Sequence, residues 1–90
     1  MPAGSVKKLT KTATGRVFVL VKAAPAMIQS LCEYIPMIQG VTLVSPVTGA
    51  FDLIVVIEGS DIQRILGVIL KEICQLEGVR ETQTLIEAKI

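Results

Sequence analysis

The chain has 90 residues, nine Lys and Arg against eight Asp and Glu, and no histidine. That length fits one small domain, and the missing histidine removes the commonest general base and the commonest metal ligand. Hydrophobic residues make up 51% of the chain but aromatic residues only 3%, so the apolar content is aliphatic and exceeds what a lone small core readily hides.

The apolar surplus predicts a second subunit or an exposed association patch. No apolar run reaches the roughly 20 residues of a membrane span. The N-terminus has no continuous apolar stretch with a small-residue cleavage site, so the chain reads as cytoplasmic, with no membrane partner. Cys32 and Cys74 both fall in helical apolar patterns and read as buried small hydrophobes rather than a disulfide framework. Far apart as they are, they form no zinc knuckle, so no metal or cofactor is expected.

From Met1 to Lys22 every charged residue is basic: Lys7, Lys8, Lys11, Arg16 and Lys22, with Glu33 the first acid. Residues 1–15 read as a basic, loosely ordered arm, and residues 16–90 as the domain. The charges are thinly spread and lack interleaved aromatics, so direct nucleic-acid binding is not expected.

Arg16–Ala23 is β-branched and aromatic, bounded by Gly15 and Pro25, and apolar on both faces; it predicts a central strand with both faces covered. Pro25 suits a first helical turn. Ile28, Leu31, Cys32 and Ile35 then share one helical face, and Pro36 is expected to stop that short helix. Val41–Val47 is the second strand, placed at an edge by Pro46. Thr48-Gly49-Ala50 is a turn, and Phe51–Glu58 is a second apolar, central strand. Ser60 reads as the N-cap of the next helix, with Gln63 completing a capping box and Asp61 in the first turn. Ile62, Ile65, Leu66, Ile69, Leu70 and Ile73 keep helical spacing, and Gly78 ends the run. Val79–Ala88 is polar enough to be the other edge strand.

The order β-α-β-β-α-β, with central strands one and three, is the ferredoxin-like plan. It is an α+β fold: an antiparallel four-stranded sheet with two helices on one face. A spacing of the form I-x-x-x-x-G-V occurs at Ile35–Val41 and again at Ile73–Val79, closing a helix and opening a strand each time. The second sheet face is equally apolar and has no cover of its own, so dimerisation through that face is predicted.

Enzyme templates fail: no Ser-His or Cys-His pair is available, and the glycines form no phosphate-binding loop. No catalytic residue is assigned. Glu58 and Asp61 read as solvated or capping charges. Asp52, entering an apolar strand, reads either as a solvent-facing strand start or as a rim charge available to a ligand ammonium. Thr82 and Thr84 lie two apart on one face of the last strand, either as β-formers or as hydroxyls lining a polar site.

Thr48-Gly49-Ala50-Phe51-Asp52 followed by Leu53-Ile54-Val55-Val56, together with Gly78-Val79 and Glu81-Thr82-Gln83-Thr84, resembles the effector-binding domain (RAM domain) of leucine-responsive/AsnC regulators over about Gly15 to Ala88. The resemblance implies a homodimer, rings such as octamers or decamers, and an amino-acid effector held by Gly49, Asp52, Thr82 and Thr84. The residues before the first strand leave no room for a helix-turn-helix. The resemblance therefore implies a stand-alone module of transcriptional or metabolic control, open to co-assembly with a full-length regulator. The alternatives are a dimeric α/β-barrel enzyme, which shares the strand order, and an amino-acid-sensing domain of the kind found on metabolic enzymes.

Overall fold

A computed structural model of the chain describes residues 15–88. The expected basic arm, apart from Gly15, lies outside the described residues. The strands are β1 (Gly15–Ala23), β2 (Val41–Pro46), β3 (Leu53–Gly59) and β4 (Val79–Ile86). Between β1 and β2 lies α1 (Ile28–Tyr34), flanked by 3-10 turns at Pro25–Met27 and Ile35–Met37. Between β3 and β4 the chain forms α2 (Ile62–Ile65), a π-helical turn at Leu66–Leu70, and α3 (Lys71–Cys74).

The four strands form one antiparallel sheet in the order β2-β3-β1-β4. This is the ferredoxin-like arrangement, with the two all-apolar strands in the middle. Side chains alternate between the faces of a strand, and β1 and β3 use that alternation fully. Val17, Val19 and Val21 of β1 and Leu53, Val55 and Ile57 of β3 are all completely buried. They pack against Leu31, Ile35, Ile69 and Ile73 from the helical segments. Each such side chain contributes about 1.5–3 kcal/mol of transfer free energy.

The opposite face carries Phe18, opposed by Val56 and Leu85, and Leu20, opposed by Ile54 and Gln83. A bulge at Thr42 turns Leu43 onto this face beside Val56. Leu43 and Leu85 are 51% and 43% exposed. This apolar surface has no cover from its own described residues.

Several local expectations change. α1 stops at Tyr34, with Ile35 as its C-cap directly before Pro36 as expected, but the chain continues in a 3-10 turn with Pro36 in its first turn, where its missing N–H is harmless. The cap of α2 is Asp61 rather than Ser60: its Oδ1 accepts from Arg64 N–H at 3.2 Å, because the helix begins one residue later, at Ile62. The second helix is not regular but passes through the π turn, whose wider ring shifts the phase of the residues after it. Cys32 packs against the core, but Cys74 is exposed, on the flank of α3 that faces β4. The third strand begins at Leu53, so Asp52 precedes the ladder instead of entering it.

The repeated glycines have a geometric reason. Gly40 and Gly78 adopt φ of 103° and 96°, a left-handed region costly for other residues. A Cβ on Gly78 would stand 2.6 Å from Met27 Cβ, and one on Gly40 would stand 2.8 Å from Ile69 Cδ1. Each glycine lets a strand start directly beneath a helix side chain.

Candidate functional site

Three of the four residues singled out from sequence gather at one end of the sheet, where β1 finishes and β3 and β4 begin. Gly49 lies in the exposed β2–β3 loop at φ 124°, and a Cβ there would meet nothing within 4 Å. The loop is closed by Val47 N–H donating to Asp52 O at 2.9 Å.

Asp52 is half-buried and is held by two bonds to β1. Its N–H donates to Val21 O at 2.8 Å, and its Oδ2 accepts from Ala23 N–H at 2.8 Å. The Ala23 amide lies two residues beyond the last β1–β3 ladder pair, Val21↔Leu53. The Asp52 carboxylate therefore continues the ladder by side chain where the β3 backbone has turned away. A charge-assisted bond to a backbone N–H is stronger than a neutral one, and an ionised carboxylate has acceptor sites to spare beyond a single bond.

Thr82 stands on the other side of β1, opposite Val21, and Thr84 stands opposite Val19. Both are half-buried on the helix side of β4. Thr82 Oγ1 lies 3.7 Å from Cys74 Sγ, a contact that sequence spacing did not signal because it bridges α3 and β4. Thr84 is one pleat repeat further in, about 6.7 Å along the strand. Asp52 and Thr82 thus flank the same stretch of β1, Gly49 lies in the loop that leads into Asp52, and Thr84 sits deeper on the Thr82 face.

A cleft of about 600 Å³ opens at the opposite end of the sheet. Its floor includes Ile38, Ile65 and Ile69, and its rim carries Glu58, Asp61 and Glu72. None of Gly49, Asp52, Thr82 and Thr84 lines it. Two of its acids are engaged locally: Asp61 caps α2, and Glu58 Oε2 lies 3.3 Å from Arg16 Nε, which also approaches Glu87 Oε2 at 3.8 Å. These pairs are largely solvent-exposed and worth little individually. Sequence reading left this cleft unassigned; Gly40 precedes β2 and Gly59 ends β3 just before α2, and neither position by itself signals a cleft. Among the described residues no polar or charged side chain is fully buried.

With this geometry, residues 16–89 match the Lrp/AsnC ligand binding domain family. The chain belongs to that family. A helix-turn-helix-type transcriptional regulator of Pyrococcus abyssi is 29% identical over 69 residues, which are 77% of this chain and 44% of that protein. The chain thus spans less than half the length of that relative. A crystal structure from Thermus thermophilus superposes with a TM-score of 0.77 at 32% identity, covering 84% of this chain and 95% of that one. A transcriptional regulator from Neisseria meningitidis, solved in complex with L-Met, has the same fold. Its TM-score is 0.74 at 15% identity, over 99% of this chain and 59% of its own. The family assignment and the fold agree with the signatures at Gly49–Asp52 and Thr82–Thr84, and the relatives named for a function are transcriptional regulators.

Proposed function

We propose that this domain binds an amino-acid effector at the sheet end that carries Gly49, Asp52, Thr82 and Thr84, and that it does so as a homodimer formed through the open sheet face. The observation that carries this reading is the Asp52 carboxylate. It is fixed by Ala23 N–H at a sheet end, beside an open glycine turn, with acceptor capacity for a ligand ammonium. Thr82 and Thr84 supply hydroxyls across β1, able to donate to the ligand carboxylate. The ligand-binding family and the L-Met complex of the Neisseria regulator support an amino acid as the effector class.

The side chains do not converge in one pocket within a single chain: the Asp52 bond lies in the plane of the sheet, and the threonines lie on its helix side. A second dimer closing over this end would complete the site, which makes effector binding and ring assembly one linked equilibrium. The apolar face of Phe18, Leu20, Leu43, Ile54, Val56 and Leu85 is the dimer surface. The protein acts in the cytoplasm as a regulatory module, alone or assembled with a full-length regulator. It is not an enzyme.

Light scattering with a thermal-shift screen against the standard amino acids tests this reading. The expected outcome is a mass of at least a dimer of the 9.7 kDa chain, and a melting temperature raised by one or a few amino acids. A monomer at micromolar concentration, unmoved by every amino acid, would refute it.

A further inference from the structure

β4 is bulged where it passes the end of β1. Lys22 is paired with Glu81 and Ala23 with Val79, so Arg80 is the extra residue, with no partner of its own in the β1–β4 register. Bulges of this kind re-aim a side chain and recur beside binding sites. Ala23 is also the residue whose amide holds the Asp52 carboxylate, at 2.8 Å. Arg80 and Asp52 therefore stand on opposite sides of one residue, a cation on the β4 side and an anion on the β3 side.

Neither charge is neutralised by the other described residues. The ion pairs among them are those of Arg16 with Glu58 and Glu87, at the other end of the sheet. Arg80 is exposed, and the Asp52 carboxylate keeps acceptor sites beyond its bond to Ala23. Lys22 is the other cation of this sheet end, but it stands directly opposite the Glu81 carboxylate in register. Two residues before Thr82, Arg80 shares that threonine's side of β4. Neighbouring strands lie about 4.8 Å apart, which leaves about 8 Å between the Asp52 carboxylate and the β4 backbone at Arg80. A compact zwitterion with a guanidinium stem folded over the sheet end fills that gap.

We infer that Arg80 binds the carboxylate of the amino-acid effector whose ammonium meets Asp52. The inference rests on the effector reading above and gives it a second charged pole. The guanidinium presents a planar fork that matches a carboxylate, which an ammonium does not, and the Thr82 hydroxyl adds a further donor on the same side. A site with both poles selects free α-amino acids and rejects amines and carboxamides that lack the carboxylate.

Titration calorimetry tests it, with the standard amino acids as ligands and the α-carboxamide of each one that binds. Wild type should bind the carboxamide at least about tenfold more weakly than the amino acid, because a donor built for a carboxylate is left without its partner. Arg80→Ala should bind the amino acid at least about tenfold more weakly than wild type and no longer tell acid from amide, with the melting temperature of the free protein unchanged. Arg80→Lys should recover only part of the affinity. Lys22→Ala removes the same charge from the same sheet end and should stay within about threefold of wild type, as a screened field effect would. Amino acid and carboxamide bound equally by wild type, which needs no variant, would overturn the inference. Full affinity in Arg80→Ala, or an equal loss in Lys22→Ala, would also overturn it; each of these results removes Arg80 alone and leaves the effector reading standing. No binding of any amino acid to wild type would remove the effector reading and this inference with it.

Discussion

The two ends of the sheet are built from the same kinds of parts and have come out differently. At each end a helix closes through an I-x-x-x-x-G-V corner, and an acidic residue commits one carboxylate oxygen to a backbone amide. At the cleft end that residue is Asp61, which caps a helix; at the other it is Asp52, which extends a strand ladder. Asp61 does only what the first turn of a helix requires. Asp52 takes the place of a backbone partner for the Ala23 amide, beyond the last β1–β3 ladder pair. A fold that turns its backbone away and substitutes a carboxylate leaves a charge at the sheet end, next to a glycine loop that nothing crowds. The cleft end encloses volume within one chain, whereas the Asp52 end presents groups outward. Under the proposed function, that difference places assembly, rather than a single-chain pocket, at the centre of effector binding.

The largest effect expected is at the corner that holds the Asp52 end in place. Gly78→Ala forces a left-handed backbone on alanine and drives its Cβ into Met27, so unfolding free energy should fall by about 2–4 kcal/mol. Urea denaturation measures this, and an unchanged midpoint would break the claim that the corner is closely packed. Next, Asp52→Ala strands the Ala23 amide and should destabilise the fold by about 1–3 kcal/mol. Asp52→Asn keeps an amide oxygen that can accept from Ala23 and should restore most of that stability while leaving the charge absent. Asp61→Ala removes only a helix cap and should cost about 1 kcal/mol, with no change in any amino-acid effect; a lost effect would erase the distinction between the ends. The smallest change in stability, within about 0.5 kcal/mol, is expected for Thr84→Val on the edge strand, although amino-acid affinity should drop measurably by calorimetry.

On the open face, the comparison is sharpened by Leu20→Glu. Its side chain stands between Ile54 and Gln83 on neighbouring strands, and the charge should dissociate the proposed dimer in light scattering while leaving the helix-side core intact.

Much of this architecture could be read from the residues. The double-sided apolar runs of β1 and β3 identify central strands because only strands covered on both faces tolerate them, and Pro46 and the polar Val79–Ile86 mark the edges for the complementary reason. The central place of β1 and β3 could be read from the sequence, but that Asp52 and Thr82 lie on either side of β1 is seen only in the register. What did not follow depends on three-dimensional register. The choice of Asp61 over Ser60 as cap turns on where one helical hydrogen bond begins, and both residues are good caps. The π turn at Leu66–Leu70 keeps the apolar spacing that an α-helix shows, so periodicity cannot distinguish them over so short a span. The Cys74–Thr82 contact and the cleft beside Gly59 arise from packing between elements distant in sequence, and no local pattern encodes them. The Ala23–Asp52 bond is of the same kind: the sequence showed a carboxylate entering an apolar strand, and only the register showed which amide it serves.

The central claim is that the Asp52 charge at this sheet end recognises the ammonium of an amino acid. Titration calorimetry of wild type and Asp52→Asn against the standard amino acids tests it most directly, since the asparagine variant preserves the bond to Ala23. The account predicts saturable binding of at least one amino acid to wild type and a loss of at least about tenfold in affinity in the variant, with melting temperature of the free protein nearly unchanged. Binding of equal strength in both proteins, or no binding to wild type at millimolar amino acid, would contradict it.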